Sequence, residues 1–309
     1  MTQRNRPLRV LRGRSRSAIG PSARSQLTLK PSATAVALAL VALGGVGVRN
    51  AAAGPTDGVV SAGNATILQS GAVTTINQTS SRAAIDWRTF GINANESVIF
   101  QQPSSSAVAL NRVAAGAGRS EIYGSLQANG HVFLINPAGV LFARGATVDV
   151  AGLVASTLNI TNNDFMAGRL VFSGGAGSGS VRNEADSRVK DGGYIRARDG
   201  GYVAFLGNQV SNTGTINAPN GTVALGAGES MVLDFHGDGL LSLKVNAAAA
   251  KARIDNTGEI HAEGGAVIMS ARAKDALLDT VLNVDGIVTA KGLVERGGYI
   301  YLDGGNSGV

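Results

Sequence analysis

The stretch of sequence that decides the fold runs from His131 to Thr157 and reads HVFLINPAGVLFARGATVDVAGLVAST. It holds short apolar runs separated by three breaks, namely Asn136–Gly139, Arg144-Gly145 and Ala151-Gly152. Proline presets φ for the first central position of a turn, and glycine adopts conformations that other residues avoid, so each break predicts a tight turn. Alternating apolar residues should share the inward strand face, Val132 with Leu134 and Leu141 with Ala143. The stretch therefore predicts short strands that fold back and forth, with no room for a helix.

A repeat aligned on glycine continues this pattern in the second half of the chain. Its six copies are Gly168-RLVFS, Gly193-YIRAR, Gly201-YVAFL, Gly221-TVALG, Gly265-AVIMS and Gly298-YIYLD. The second residue after each glycine is apolar: Leu170, Ile195, Val203, Val223, Val267 and Ile300. The fourth is apolar as well: Phe172, Ala197, Phe205, Leu225, Met269 and Leu302. Each copy predicts a strand with one inward face, repeated at the same phase.

A second repeat interleaves with the first. Its copies are Val210-SNTGTINA, Ile254-DNTGEIHA and Leu282-NVDGIVTA, and they start 44 and 28 residues apart. Such intervals predict stacked units, each too small to bury its own apolar face, whose backbone groups pair with the units above and below. The longer interval contains two apolar runs around a glycine-rich turn, which predicts a hairpin inserted at residues 230–245.

Composition narrows the possible functions. The formal charge is +6, but nine of the 27 Lys and Arg residues and none of the 21 acids precede residue 54, so the rest of the chain has 18 basic residues and a net charge of −3. This distribution disfavours nucleic acid as a partner. The chain has no cysteine, and its three histidines are not placed at ligand spacing. We therefore expect no metal, no cofactor and no thiol chemistry.

The first 53 residues have the features of a cleavable signal peptide with a long basic n-region. The uncharged apolar run Ala33–Gly47 matches a signal h-region and is too short for a comfortable transmembrane helix. The alanines at positions 51–53 then offer a cleavage site between Ala53 and Gly54. We expect the mature protein to cross membranes without itself spanning one.

Four motifs occur in order between residues 58 and 170: R-A-x-I-x-W at Arg82–Trp87, F-x-Q-P at Phe100–Pro103, L-N-R-V at Leu110–Val113 and N-P-x-G at Asn136–Gly139. On these motifs the chain resembles the N-terminal secretion domain of filamentous-haemagglutinin-type exoproteins, the exported members of two-partner secretion systems. Ala138 stands where the family often has a second asparagine. The turn itself is compatible with this change, whereas any contact of the missing side chain is lost.

The resemblance implies a right-handed parallel β-helix that is recognised by the periplasmic domains of a dedicated outer-membrane β-barrel transporter. It also implies candidate residues for transporter recognition or fold nucleation, namely Arg82, Trp87, Asn111, Asn136, Pro137 and Gly139. Whether the transporter reads the Asn-Pro-Ala-Gly turn, or the turn only holds the strands, stays open at this point, and we favour the structural role. The protein would be secreted or held at the cell surface after passing through the periplasm.

Two other functions compete with this interpretation. Outward aromatic residues at Tyr194, Tyr202, Tyr299 and Tyr301 could stack on host-cell or surface glycans, as in a carbohydrate-binding adhesin module. Parallel β-helices also carry polysaccharide-degrading enzymes, which need paired carboxylates on one outer face. The acids of this chain are scattered, with no pair at the same position of adjacent repeats, so we expect no enzyme.

The sequence thus predicts an all-β chain in three segments. Residues 1–53 form the signal peptide, 54–170 the secretion domain, and 171–309 further β-helix repeats that continue the solenoid. Extra-helical hairpins and an N-terminal cap are expected to complete the fold, with Trp87 at the capped end of the core. Because the repeat still runs at Tyr299 without a polar cap, we expect the chain to be either the N-terminal part of a longer product or a truncated reading frame.

Overall fold

The structure, a computed structural model, describes residues 54–174, 179–188, 190, 192–235, 240–274, 281–290 and 299–303. The predicted signal peptide, including Ala53, lies outside these residues. The elements are β1 (Val59–Ala62), β2 (Ala65–Ser70), β3 (Val73–Gln78), β4 (Arg82–Trp87), β5 (Ser97–Gln101), β6 (Val108–Val113), β7 (Ser120–Ile122), β8 (Ser125–Ala128), β9 (His131–Ile135), β10 (Val140–Phe142), β11 (Thr147–Ser156), α1 (Asn162–Met166), β12 (Leu170–Ser173), β13 (Ser180–Asn183), β14 (Tyr194–Gly207), β15 (Gln209–Asn212), β16 (Thr215–Asn217), β17 (Thr222–Ala227), β18 (Ser230–Phe235), β19 (Leu241–Ala247), β20 (Arg253–Asn256), β21 (Glu259–His261), β22 (Ala266–Ala271), β23 (Leu282–Val284), β24 (Ile287–Thr289) and β25 (Tyr299–Asp303).

These strands form the rungs of a right-handed parallel β-helix, which confirms the predicted fold class. The solenoid has three faces, and within the described residues six successive rungs contribute one strand to each of them. The first face contains β4, β6, β9, the second halves of β11 and β14, then β17, β22 and β25; we call it the covered face, because α1 and the sheet of β12, β18 and β19 pack against it. The second, which we call the open face, contains β3, β5, β8, the first halves of β11 and β14, then β16, β21 and β24. The third face contains β7, β10, β13, β15, β20 and β23. Consecutive rungs pair in parallel, so each strand's backbone groups are satisfied by its neighbours.

The inner core follows the predicted columns. Val203 and Phe205 lie opposite Val223 and Leu225, which lie opposite Val267 and Met269, and all six side chains are fully buried. Ile216 and Ile260 form an equivalent column on the open face. Full burial of one such side chain contributes about 1.5–3 kcal/mol. The last described rung keeps this register, with Ile300 opposite Val267, but Ile300 is 47% exposed because no described strand pairs with its other side.

Two details of the opening stretch differ from the prediction. Val132 and Leu134 face the inner core as expected, but in β10 the inward residues are Val140 and Phe142, so the assignment of Leu141 and Ala143 to the inner face is wrong. The turn at 136–139 changes the strand phase, because β10 belongs to the third face and β9 to the covered face. The predicted break at Ala151-Gly152 is also wrong. β11 runs through it with a register shift between Val150 and Gly152, where the chain passes from the open to the covered face.

One copy of the glycine-aligned repeat is not a rung. β12 contains Leu170 and Phe172 and pairs antiparallel with β18, which pairs antiparallel with β19. This three-stranded sheet lies outside the solenoid, so the assignment of Leu170 and Phe172 to the inner columns is wrong. The hairpin of β18 and β19 falls within the interval where the sequence indicated an insertion, and its turn at 236–239 lies outside the described residues.

The extra-helical sheet and α1 create a second core against the covered face. Outward residues of the rungs, such as Phe133 and Ala204, are fully buried there beneath Phe165 of α1 and Met231 of β18. At the N-terminal end, β1 and β2 pair antiparallel with β4 and β3 and form the cap. The covered face therefore has apolar residues on both sides, unlike the open face.

A stack of glycines and a stack of asparagines hold one corner of the solenoid. A Cβ on Gly258 would meet the carbonyl oxygen of Gly214, and a Cβ on Gly286 that of Gly258, so only glycine allows these rungs to approach. Buried asparagines lie beside these glycines at equivalent positions of successive rungs: Asn183 Nδ2 donates to Asn212 Oδ1 at 2.8 Å, and Asn212 Nδ2 donates to Asn256 Oδ1 at 2.7 Å. The next position is Val284, and Asn256 Nδ2 is buried without a hydrogen-bond partner. The asparagine ladder thus ends at Asn256.

Candidate functional site

The fold brings together motifs that are far apart in the sequence. β4, β6 and β9 are successive neighbours on the covered face, with Ile85 opposite Asn111 and Asn111 opposite Leu134. The R-A-x-I-x-W and L-N-R-V motifs therefore lie side by side, and the N-P-x-G turn follows directly from the third strand. The candidate site is the end of these three strands together with the turn.

Trp87 and Asn111 contact each other inside the core. The Trp87 Nε1–H donates to Asn111 Oδ1 at 3.0 Å, and the Asn111 side chain donates to the Phe133 carbonyl at 3.3 Å. Asn111 is fully buried and Trp87 is 2% exposed, with Phe90 edge-on to its ring at 5.6 Å. A ring of this size can be buried only if its N–H finds an acceptor, which Asn111 provides. In the folded protein neither side chain can be touched by a partner.

The N-P-x-G motif forms a turn that is closed from inside by Asn136. Asn136 Oδ1 accepts from the Ala138 N–H at 2.9 Å, and its Nδ2 donates to the Gly118 carbonyl at 3.0 Å and to Ser120 Oγ at 3.1 Å. Gly139 has φ of +119°, which favours glycine. Asn136 is 1% exposed, whereas Pro137 is half-buried and Ala138 exposed at the tip. The turn thus offers its tip, and not its asparagine, to the surroundings.

Arg82 lies at the opposite end of β4 from Trp87. Its Nη1 donates to the Phe165 carbonyl at 3.1 Å, and its guanidinium lies 5.3 Å from the centre of the Phe165 ring. Partial burial lowers the pKa of Arg82 below the ordinary value for a guanidinium. Arg82 ties the rung to α1 and does not meet the other predicted site residues.

The sequence analysis missed Gln102, the glutamine of the F-x-Q-P motif. Its Nε2 lies within hydrogen-bond distance of Gln78 Oε1 and the carbonyls of Ala107 and His131, and its Oε1 accepts from the Gly130 N–H at 3.0 Å. The side chain is 7% exposed. A buried amide with this many partners fixes the corner between the open and covered faces. The only signal in the sequence was its place in the motif.

The sequence analysis also missed Arg112, which organises the exposed part of the site. It bonds to Asp86 Oδ1 at 2.8 Å on the neighbouring strand, to the Ile160 carbonyl at 3.1 Å and to Asn162 Oδ1 at 2.9 Å. These contacts tie the start of α1 to the solenoid. Beside them lies a groove of about 370 Å³, lined by Asp86, Arg112, Val113, Ala114, Ala115, Ile135, Pro137 and Asn159. Residues of three of the four motifs line this one surface, which we call the motif groove.

The tyrosines considered for glycan stacking do not form one surface. Tyr202 is 4% exposed and stacks between His131 and Phe235, with ring centres 5.0 Å and 5.2 Å away, so its assignment to an outward platform is wrong. Tyr301 is 53% exposed on the covered-face strand β25, whereas Tyr194 begins β14 on the open face. The side chain of Tyr299 lies outside the described residues.

His131 is a half-buried imidazole that stacks on Tyr202. Desolvation, and secondarily the nearby charge of Arg82, lower the pKa of His131 to about 4. Its Nδ1 is buried and makes no hydrogen bond. Among the described residues no group of three or more His, Asp or Glu side chains could hold a metal ion.

Together these features define a class of protein, namely a parallel β-helix that is capped at its N-terminal end and covered on one face by α1 and an antiparallel sheet. The family model described as "TPS secretion domain" matches residues 51–309, and the chain belongs to this family of two-partner secretion domains. The match extends beyond residue 170, where the sequence analysis had placed a boundary.

Relatives and a solved structure agree with this family. The chain is 33% identical over 236 residues to a heme/hemopexin-binding protein of Haemophilus influenzae (strain ATCC 51907 / DSM 11121 / KW20 / Rd), which covers 72% of this chain and 24% of that protein. It is 49% identical over 86 residues to another Haemophilus influenzae heme/hemopexin-binding protein, covering 28% of this chain and 9% of that one. The crystal structure of the HMW1 secretion domain from Haemophilus influenzae superposes with a TM-score of 0.62 at 30% identity, covering 71% of this chain and 56% of that chain. The chain thus spans a quarter or less of the length of these curated relatives.

Proposed function

We propose that the chain is the secretion-directing part of an exported exoprotein of the filamentous haemagglutinin or adhesin type, and that a partner outer-membrane β-barrel transporter recognises it through periplasmic domains. The observation that carries the proposal is the match to the secretion-domain family over residues 51–309. Release to the medium or retention at the cell surface, after passage through the periplasm, follows from this proposal. No helix of the described residues has the length and hydropathy needed to span a bilayer.

The fold supports a simple physical mechanism for export. A chain that threads through a barrel must emerge unfolded, and each rung then pairs in register with the rung before it. Every added rung buries apolar side chains, at about 25 cal/mol per Å² of apolar surface removed from water, and completes the hydrogen bonds of the previous edge. Folding outside the cell thereby supplies a downhill bias that needs no nucleotide.

Recognition of the folded protein would have to use exposed residues, and we assign it to the motif groove. Asp86 is 44% exposed and Pro137 half-buried, whereas Trp87, Asn111 and Asn136 are buried and in this proposal hold the fold. The buried residues become accessible only if the transporter binds an unfolded segment. The two possibilities make different predictions for substitutions in the groove.

We also infer that the chain is not an enzyme. Several of its acids are engaged by arginines on their own strands or turns, as Asp164 by Arg169 and Glu184 by Arg182. We transfer no ligand from the heme/hemopexin-binding relatives, because the match covers only 24% of the first of these proteins and 9% of the second.

The test is secretion of the chain from bacteria that express it with or without the partner transporter. We expect release into the medium only with the transporter, and equal release without it would refute the proposal. Pro137→Ala and Asp86→Ala should reduce the released fraction while lowering the free energy of unfolding by no more than about 1 kcal/mol, with Arg182→Ala on the third face as the exposed control. If the groove variants are secreted normally while unfolded segments bind the periplasmic domains, recognition uses the unfolded chain.

A further inference from the structure

Two grooves lie end to end on the open face, away from the motif groove. The first has a volume of about 330 Å³, and its polar lining includes Gln101, Gln127, Asn129, Asp149 and Arg198. The second has a volume of about 500 Å³, and its lining includes Tyr194, Arg196, Asn217, Pro219, His261 and Glu263. We call the two together the open-face trough.

One row of side chains runs through both grooves. Gln127, Asp149, Arg196, Asn217 and His261 are successive register partners on β8, β11, β14, β16 and β21. Neighbouring strands lie about 4.8 Å apart, so the row presents polar groups at a regular spacing along the solenoid axis. A ligand that matches this row is elongated and carries repeating polar groups.

The trough holds two arginines that form no close ion pair among the described residues. Arg196 and Arg198 are exposed on one strand, and within the described residues neither forms an ion pair. Among the residues that the structure describes, the Arg198 side chain makes one long hydrogen bond, 3.5 Å from Nη1 to the Asn129 carbonyl. By contrast, Arg253 on the third face is held by Asp255 two residues along the strand. Each groove thus has one guanidinium that is available for a carboxylate.

The remaining groups suit hydroxyls and a sugar ring. The amides of Gln127 and Asn217 can donate to and accept from hydroxyl groups, and the carboxylates of Asp149 and Glu263 can accept from them. Tyr194 is half-buried in the second groove and offers a ring face for stacking. Both ring nitrogens of His261 lie within hydrogen-bond distance of protein groups, Thr289 Oγ1 and Glu259 Oε2, so His261 lines the groove without binding the ligand. The carboxylates, and the net charge of −3 beyond residue 53, disfavour a ligand as highly charged as a densely sulfated polysaccharide.

We propose that the open-face trough binds a linear polysaccharide containing uronic acid residues, laid along the solenoid axis across successive rungs. Arg196 and Arg198 bind uronate carboxylates, the amides and acids bind hydroxyls, and Tyr194 stacks on a sugar ring. The site goes beyond the proposed function, because binding here requires no transporter.

The experiment measures binding of the purified protein to polygalacturonate, with dextran as a neutral polysaccharide and heparin as a densely sulfated one. We expect binding to polygalacturonate, weaker binding to heparin and none to dextran. Arg196→Ala and Arg198→Ala should each weaken it by about tenfold, the effect of losing one charge-assisted hydrogen-bonded contact. Tyr194→Ala should also weaken binding.

Arg253→Ala is the matched control, because it removes the same charge from an exposed arginine of the third face. Circular dichroism of each variant checks that the fold is kept, and the side chains of Arg196 and Tyr194 have no intramolecular hydrogen bonds within the described residues to lose. Absence of binding to polygalacturonate, equal binding to dextran, or an equal loss in Arg253→Ala and Arg196→Ala would each overturn the proposal. Tighter binding of heparin than polygalacturonate would overturn the uronate assignment.

Discussion

The substitution Asn136→Ala tests whether the N-P-x-G turn holds the fold. It removes two donated bonds and one accepted bond of a side chain that is 1% exposed. Gly118 and Ala138 are exposed, so water can replace the lost partner of their backbone groups, whereas Ser120 stays buried with its hydroxyl unpaired. At about 1 kcal/mol for each net hydrogen bond, we expect the free energy of unfolding to fall by about 2–3 kcal/mol.

The assay is urea unfolding followed by the fluorescence of Trp87, the one tryptophan of the chain, which is buried close to this turn. Ala138→Ser, at the exposed tip of the same turn, is the control and should change the midpoint little. A loss below about 0.5 kcal/mol at unchanged slope would refute the structural role, since that is the range of ordinary surface substitutions. If secretion then failed at normal stability, the transporter would be reading Asn136 itself.

Three further predictions follow from the same structure. Asn212→Ala breaks the asparagine ladder in the middle and should lower the free energy of unfolding by about 2–4 kcal/mol. Asn217→Ala is the control and should change it little, because the Asn217 amide makes no hydrogen bond within the described residues. Equal effects of the two substitutions in urea unfolding would argue against the ladder. Because the pKa of His131 is lowered to about 4 in the folded protein, the unfolded chain binds the proton more readily, so its contribution to stability is complete above about pH 6.5 and is lost as the pH falls towards 4. His131→Phe should flatten this part of the stability–pH curve, and an unchanged slope would contradict the assignment. Arg112→Ala should release α1 and speed limited proteolysis at residues 158–169, measured by mass spectrometry against Arg119→Ala, and equal rates would contradict the clamp.

The inner columns could be predicted from the sequence because parallel, in-register stacking repeats the same phase in every rung. Val203, Val223 and Val267 were assigned to the inner face for this reason, and correctly. The phase of β10 could not be predicted in this way. Val140, Leu141 and Phe142 are all buried, so the alternation that marks an inner face disappears.

The covering layer was the harder part of the fold to predict. Leu170 and Phe172 have the same local pattern as a rung strand, and only their pairing with β18, about 60 residues further along the chain, distinguishes them. Tyr202 was expected to belong to an exposed outer platform, but the ring of Phe235 covers it. The role of Arg112 depends likewise on Asn162, fifty residues away. A local pattern reports how a strand alternates and not which distant segment packs on it.

The hairpin of β18 and β19 comes late in the chain. The apolar outer residues of β4, β6, β9, β11, β14 and β17 all precede it, and its residues Met231, Leu233, Leu241 and Val245 help to bury them. A chain that folds in order from its N-terminus therefore builds several rungs before this part of the extra-helical sheet is available to cover them. During that interval the growing solenoid presents a wide apolar wall to its surroundings. If residues 230–247 follow the earlier rungs quickly, the chain's own hairpin buries this apolar surface. If they follow slowly, the surface can bind to a neighbouring chain instead.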